Sequence, residues 1–281
     1  MVDFIFIGPS KTASTWIYEA IRPHPDLFVP AAKDIYFFDK YHDRGSAWYA
    51  GFFRDAPVGS LCGELSHDYF FNPVAIERIH AFDSAVKLIC CLRNPFERAY
   101  SSYLHMVRVG MFTGSFEDAL EKFPFIVDEG KYHTNLSHIF SLFGREAVLI
   151  LDFDELEADP GRFARRIFNF LGVDEAFVPA VLHQKVNPAR DARSKTLARM
   201  AKRAALLLRH LGCSNLLGRL KHSRFINWLV YRQAVPQGSK GGVSYPEQLV
   251  RLYHAELEGL SALLHVDFSK WRVARLHDYT G

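Results

Sequence analysis

The sequence has few of the features that mark metalloproteins, disulfide-rich proteins or membrane proteins. It contains only four cysteines in 281 residues, and Cys62, Cys90, Cys91 and Cys213 lack the spacing of a metal site. Two of them are adjacent in an apolar run, which favours buried thiols in a reducing compartment. No stretch approaches the roughly 18 uninterrupted apolar residues of a membrane span, and no signal-like segment precedes the first apolar run. The sequence therefore predicts a soluble cytoplasmic protein without a metal site.

Acidic residues are almost missing from one segment of the chain. From Lys185 to Lys240 there are 13 Lys and Arg residues and one acid, Asp191, a balance of +12, whereas the rest of the chain has 21 basic and 30 acidic residues, a balance of −9. This basic segment favours contact with phosphate, sulfate, an acidic glycan or an anionic lipid. The alternative is a solvated face of two amphipathic helices that pack on the domain. We expect one domain over residues 1–281, with a basic helical insert at about 187–236.

The chain begins with a pattern of strand, loop and helix. Residues 2–7 are rich in aromatic and β-branched side chains, Gly8 and Pro9 end the run, and a helix-compatible stretch follows. The loop offers one lysine and three hydroxyls, from Lys11, Thr12, Ser14 and Thr15. Unpaired N–H groups and the helix dipole favour an anion at such a helix start, so the loop is a candidate phosphate site. The Walker spacing, with Gly directly before Lys, is not met, and an ordinary turn with a surface lysine is the alternative.

A second anion-binding pattern follows a second apolar run. Residues 86–92 are almost continuously apolar, as expected for a central parallel strand, and Pro95 is placed for the first turn of a helix. Arg93 offers a planar fork of donors, and Ser101 adds a hydroxyl two helical turns on. A helix-capping arginine with a surface serine is the alternative. Strands and helices that alternate, with anion loops at strand ends, predict an α/β, P-loop-like, doubly wound sheet with a mainly parallel core and helices on both faces.

The two patterns together resemble the donor site of sulfotransferases that use 3′-phosphoadenosine 5′-phosphosulfate (PAPS). The 5′-phosphosulfate loop and 3′-phosphate motif of that family are similar to Lys11, Thr12, Ala13, Ser14, Thr15 and Trp16, and to Arg93 and Ser101, respectively. The resemblance implies PAPS as co-substrate, no metal, and Lys11 as the group that neutralises the leaving phosphate oxygen. Lys240, Gly241 and Gly242 resemble a loop that closes over the 3′-phosphate in relatives, although relatives have Arg at the position of Gly242.

Two further stretches resemble the acceptor side of heparan sulfate N- and 3-O-sulfotransferases. Residues 33–38, KDIYFF, are similar to a Lys-Glu-x-His-Phe-Phe motif, which implies that Asp34 is the catalytic base. Relatives have a catalytic Lys and a Pro in the next motif, where this chain has Leu65 and His67. The change makes His67 a second candidate base, since imidazole titrates near neutrality. A hydrogen-bonded structural histidine is the alternative.

These observations predict a PAPS-dependent sulfotransferase. We expect transfer of the sulfuryl group to an acceptor hydroxyl, on a sugar or glycoconjugate, a glycolipid or a small natural product, with no nucleic-acid partner. The basic helices offer a peripheral membrane contact, so membrane association of a cytoplasmic protein is part of this expectation. Two other classes stay open. A P-loop-like kinase would use the same first loop, and a non-catalytic module that binds PAPS or a glycan is an alternative because Leu65 replaces a lysine.

Overall fold

A parallel sheet forms the centre of the protein. Its structure, a computed structural model, describes residues 2–183, 190–192, 231–233 and 243–273. Five strands run in the order β2-β3-β1-β4-β5, and every pair of neighbours is parallel. The strands are β1 (Phe4–Gly8), β2 (Leu27–Phe28), β3 (Leu61–Leu65), β4 (Lys87–Leu92) and β5 (Val148–Asp152). The predicted parallel α/β sheet is confirmed.

Helices connect the strands, because two parallel strands can be joined only by a crossover connection. In the described part of the chain they are α1 (Ser14–Ile21), α2 (Gly45–Ala50), α3 (Pro73–Phe82), α4 (Pro95–Arg108), α5 (Phe116–Lys122), α6 (Phe125–Asp128), α7 (Tyr132–Phe143), α8 (Phe153–Ala158), α9 (Pro160–Leu171) and α10 (Glu247–Leu264). No helix among the described residues is both long and apolar enough to cross a membrane.

Each face of the sheet has its own apolar core. Side chains alternate along β1, so Phe4 and Phe6 pack on one face with residues of α1 and α9. Ile5 and Ile7 pack on the other face with residues of α3, α7 and α10. All four β1 side chains are at most 1% exposed. Helices therefore cover both faces, which is why the central strands are apolar throughout rather than alternating with polar residues.

Capping residues determine where the helices next to the carboxyl edge begin. The side chain of Asn94 accepts hydrogen bonds from two first-turn N–H groups of α4, at 3.0 and 3.4 Å, and Pro95 follows as the first helical residue. Asp159 and Pro160 start α9 in the same way. Gly172, with a φ of 80°, ends α9 in the left-handed conformation that glycine favours. Because α4 begins directly after β4, the cap holds Arg93 at the strand end.

Some elements differ from the sequence expectation. At the ends of the basic segment, β6 (Arg190–Ala192) and β7 (Tyr231–Gln233) form an antiparallel pair. The remainder of the predicted basic helical insert lies outside the described residues.

Candidate functional site

The predicted site residues meet at the carboxyl edge of the sheet. Lys11 follows β1, His67 follows β3, Arg93 follows β4, and Asp34 lies between β2 and β3. Since β1 pairs directly with both β3 and β4, the three loops after these strands emerge side by side. Ligands of doubly wound sheets bind in the crevice outside these strand ends. A Cβ on Gly8 would lie 2.2 Å from the His67 carbonyl oxygen, so glycine permits this close approach.

The loop after β1 has a strained backbone. Lys11 and Ala13 have φ values of 67° and 65°, in the left-handed region that residues with a Cβ seldom adopt. The buried Thr12 hydroxyl donates to the carbonyl of Pro9 at 2.6 Å and so closes the loop on itself. Ala13 provides no side-chain cap for α1. The first N–H groups of α1 are therefore left for another acceptor, as in anion-binding helix starts.

Lys33, the first residue of the KDIYFF stretch, lies at the candidate site, although the sequence analysis gave it no role there. Its ammonium donates to the hydroxyls of Ser14 at 2.9 Å and Thr15 at 3.1 Å, in the first turn of α1. Burial lowers the pKa of Lys33, although the neighbouring Asp34 carboxylate opposes the shift. A second lysine thus stands at the helix start that follows Lys11. The contact links segments 18 and 19 residues apart, which only the folded chain reveals.

Positive charges surround Lys11. Burial lowers its pKa to about 8, and the nearby cations Arg108, Arg93 and Lys33 lower it further, whereas Glu129 raises it. Arg108, in the last turn of α4, was also missed in the sequence, because it lies 15 residues beyond Arg93. In the described part of the chain the Lys11 ammonium forms no ion pair. Like charges held this close favour a bound anion that would separate them.

Arg93 is anchored but incompletely paired. Its Nη2 atom lies 3.0 Å from the Glu97 carboxylate, and its guanidinium lies 4.7 Å from the centre of the Phe153 ring. The Nε atom of Arg93 is buried and has no hydrogen-bond partner among the described residues. Ser101 lies on α4 and is half-buried. A buried donor without an acceptor costs free energy, so this end of the site fits a phosphate oxygen.

Asp34 and His67 form a hydrogen-bonded pair. The Nδ1 atom of His67 lies 2.8 Å from Asp34 Oδ1, and its Nε2 atom lies 3.2 Å from both the Tyr36 hydroxyl and Asp68 Oδ1. The backbone N–H of Asp34 donates to the carbonyl of Leu65 at 2.9 Å, which joins the two segments. The two alternative bases of the sequence are therefore one unit. Each side chain keeps partial exposure, 17% for Asp34 and 25% for His67.

The surroundings of His67 favour its protonated form. Burial alone would lower the pKa of His67, but the carboxylates of Asp34 and Asp68 raise it above the ordinary imidazole value, against a smaller opposing effect of Lys33. Asp34 and Tyr36 have φ values of 63° and 57°, a strained backbone of the kind that gathers at functional sites. The pair can accept a proton only after the imidazolium has lost one, so its reactivity depends on pH.

Some residues of the sequence motifs lie apart from Lys11, Arg93 and the Asp34–His67 pair, and others lie outside the described residues. The Trp16 ring packs against Phe163 in the core, with ring centres 5.4 Å apart, and Leu65 is 2% exposed in the same core. Any ligand contact of Trp16 would therefore use its backbone. Outside the described residues lie Lys240, Gly241 and Gly242. Within them, no group of three or more His, Cys, Asp or Glu is placed to hold a metal ion.

Comparison with known proteins identifies the family to which this chain belongs. The family model described as "Sulfotransferase domain" matches residues 2–208. The chain belongs to the sulfotransferase family. Members of this family use PAPS as sulfuryl donor. The match includes both anion-binding patterns and the Asp34–His67 pair, so the cationic cluster lies within the matched sulfotransferase domain.

Individual relatives refine this comparison. Human heparan sulfate glucosamine 3-O-sulfotransferase 6 is 28% identical over 177 residues, which cover 60% of this chain and 52% of the relative. Mouse bifunctional heparan sulfate N-deacetylase/N-sulfotransferase 1 is 30% identical over 194 residues, covering 60% of this chain and 22% of the relative. This sulfotransferase chain thus spans about half or less of the length of these curated relatives.

Solved structures show the same fold at lower identity. The crystal structure of a sulfotransferase from Alicyclobacillus acidocaldarius has a TM-score of 0.70 and 22% identity, covering 97% of this chain and 99% of that one. The sulfotransferase domain from the curacin biosynthetic pathway has a TM-score of 0.54 and 15% identity, over 93% and 98% of the two chains. These likenesses establish the sulfotransferase fold.

Proposed function

We propose that the protein transfers the sulfuryl group of PAPS to an acceptor hydroxyl. The observation that supports this most strongly is the pairing of two cationic half-sites at adjacent strand ends. Lys11 with Lys33 lies at the start of α1, and Arg93 lies at the start of α4. The donor carries anionic groups at two ends, and two separated sets of donors suit it. The proton-accepting pair of Asp34 and His67 lies on the β3 side of the same edge.

Each half-site has a distinct role in this proposal. The start of α1, with Lys11 and Lys33, holds the 5′-phosphosulfate, where hydroxyls, cations and free N–H groups gather. Arg93 and Ser101 hold the 3′-phosphate through a charged fork and a hydroxyl. Lys240, Gly241 and Gly242 are proposed to close over that phosphate. The backbone of Ala13 and Trp16 completes the loop around the first half-site.

The reaction breaks one bond and forms one. The acceptor oxygen attacks sulfur in line, the bond from sulfur to the bridging phosphate oxygen breaks, and its electron pair goes to that oxygen. Lys11 stabilises the negative charge that develops there. The Asp34–His67 pair takes the proton that the acceptor hydroxyl loses. The products are a sulfate ester and adenosine 3′,5′-bisphosphate (PAP).

A sugar hydroxyl is the acceptor that we propose. The heparan sulfate sulfotransferases named above are similar to 60% of this chain, and residues 33–38 resemble the Lys-Glu-x-His-Phe-Phe motif of such enzymes. A glycolipid or a small natural product remains an alternative, because Leu65 and His67 depart from those relatives at the acceptor side. A panel of sugar, phenol and lipid-linked acceptors distinguishes them.

A nucleotide-dependent kinase and a non-catalytic binding module are the competing functions. Thermal unfolding in the presence of PAP, or of ATP and Mg²⁺, tests the kinase alternative, because ligand binding to the native state raises the melting temperature. We expect a clear rise with PAP and little with ATP at equal concentration. A larger rise with ATP would favour the kinase.

Arg93→Ala should selectively remove recognition of the 3′-phosphate. We expect binding of PAPS to weaken about 10- to 100-fold, as for the loss of a charged hydrogen-bonding group. Adenosine 5′-phosphosulfate lacks the 3′-phosphate, so its weaker binding should change little. Isothermal titration measures both constants. Arg22→Ala, which removes a surface ion pair with Glu19, is the control. Equal losses for both nucleotides would contradict the assignment.

The basic segment should make acceptor recognition sensitive to salt. Exposed charges are screened over about 10 Å at 0.1 M ionic strength, so the Michaelis constant for an anionic acceptor, or binding to anionic vesicles, should worsen steeply with added salt. Reversal of Lys202, Arg203 and Arg209 to Glu should produce the same weakening at low salt. Unchanged acceptor kinetics and unchanged vesicle binding would reduce the segment to a solvated face.

A further inference from the structure

A buried carboxylate holds the loop after β1 from outside that loop. Glu129 lies between α6 and α7, and its Oε2 atom accepts hydrogen bonds from the Ser10 backbone N–H at 3.0 Å and the Ser10 hydroxyl at 2.5 Å. The same oxygen accepts from Arg98 Nη1 at 2.7 Å. Glu129 is 1% exposed and Arg98 is fully buried. Arg98 also donates to the carbonyl of Ile126. Charges this deep persist only where they are paired.

The three residues connect the two half-sites through the core. Arg98 lies on α4, between Arg93 and Ser101 in sequence, and Ser10 directly precedes Lys11. A chain of hydrogen bonds from Ser10 through Glu129 to Arg98 therefore ties the loop after β1 to the helix after β4. Neither the strand pairing nor the apolar cores make this particular connection.

The loop needs such support because its own backbone is strained. Lys11 and Ala13 have left-handed conformations, which persist only when the surroundings hold them. Within the loop, one hydrogen bond from Thr12 to Pro9 contributes. From outside, Glu129 fixes both the backbone and the side chain of Ser10, the residue next to Lys11.

We propose that Glu129, held by Arg98, is a positioning residue that sets the loop containing Lys11 in its ligand-binding shape before any nucleotide arrives. That this loop binds the phosphosulfate group rests on the proposed sulfotransferase reaction. The effect of Glu129 on the conformation of the loop does not depend on that reaction. Glu129 also lies close enough to raise the pKa of Lys11, against Arg108, Arg93 and Lys33, and so favours the charged lysine.

Glu129→Gln tests this positioning role, because it keeps the shape and removes the charge that pairs with Arg98. The chain offers a matched control. Glu256 of α10 is a second buried glutamate that accepts from one residue's backbone N–H and hydroxyl, those of Thr134, at 3.0 and 2.5 Å. Glu256→Gln thus repeats the same chemical change at the start of α7, where the hydrogen-bond donor is Thr134 and not the loop residue Ser10.

Two measurements on each variant decide the outcome. Amide hydrogen exchange of the ligand-free chain should be faster at residues 10–15 in Glu129→Gln than in the wild type, and unchanged there in Glu256→Gln. Titration should show PAP and adenosine 5′-monophosphate binding about 10-fold more weakly to Glu129→Gln, with adenosine 3′-monophosphate nearly unaffected. Removal of a nearby negative charge alone would strengthen phosphate binding. The direction of the change in nucleotide affinity therefore distinguishes a positioning role from simple electrostatics.

Other outcomes have defined meanings. Unchanged exchange at residues 10–15, or equal losses for all three nucleotides, would overturn the positioning role. If Glu129→Gln fails to fold, Ser10→Ala removes only the hydroxyl contact and should give smaller changes of the same sign, and no change in loop exchange would again overturn it. If the wild type does not bind PAP, the proposed function fails, while the exchange measurement still decides the role of Glu129.

Discussion

Lys11→Ala should reduce transfer from PAPS by at least about 10²- to 10³-fold in kcat, the loss seen when a single group that stabilises a developing charge is removed. The donor should still bind in part, because Arg93, Ser101 and Lys33 lie at other points of the site. Lys11 acts mainly on charge that appears on the phosphate oxygen as the sulfur bond breaks, so the loss belongs to the rate rather than to binding. Single-turnover rates and titration with PAP separate the two quantities.

The pH dependence of the wild type gives an independent check of Lys11. Its pKa is about 8 in the free protein, so the charged form is lost as pH rises through that value. The kcat/KM for PAPS, which reports the free enzyme, should therefore fall above pH 8. Lys131→Ala, which removes a surface pair with Asp128, is the control and should leave transfer unchanged. Wild-type turnover in Lys11→Ala would remove this lysine from the mechanism.

Asp34→Asn and His67→Ala should each slow transfer by about 10²- to 10⁴-fold, with nucleotide binding little changed. The 2.8 Å contact between the two side chains means that either substitution disables the pair. The double variant should therefore be no slower than the slower single variant, as found for residues that act as a unit. Transfer rates with donor saturating, measured for the three variants and the wild type, give this comparison.

The acidic limb of the pH profile tests the same pair. The base must be unprotonated, so the rate rises with pH through the pKa of His67, which the two carboxylates hold above its ordinary value. In Asp34→Asn the limb should move to lower pH, because one of these carboxylates is gone. His138→Ala on α7 is the control. Additive losses in the double variant would mean that the two residues act independently, and a full rate in either single variant would leave the other residue as the sole base.

The residues that sequence alone could identify are those whose position follows from local pattern. Lys11 stands in a loop between an apolar strand and a helix, and Arg93 stands between a second apolar strand and a helix-starting proline. A parallel sheet brings such strand ends to one edge, so the pairing of the half-sites could be inferred. The fold class followed from the same alternation of strands and helices, and both the sheet and the family are confirmed.

Other site residues depend on contacts that no local pattern contains. Lys33 reaches the α1 hydroxyls across 18 and 19 residues, and Glu129 reaches Ser10 across 119. Arg108 lowers the pKa of Lys11 from the last turn of α4, 15 residues beyond Arg93 in the chain. Asp34 and His67 were separate candidates in the sequence, 33 residues apart, and the folded chain brings their side chains within 2.8 Å of each other.

Incubation of the wild-type protein with PAPS carrying labelled sulfate, and with the panel of sugar, phenol and lipid-linked acceptors, tests the proposed reaction most directly. We predict that the label moves to at least one hydroxyl acceptor, most efficiently a sugar, and that one PAP forms for each acceptor sulfated. Omission of the acceptor should stop PAP formation above the background of hydrolysis. Binding of PAP without transfer to any acceptor, or transfer of phosphate from ATP instead, would contradict the proposed sulfotransferase activity.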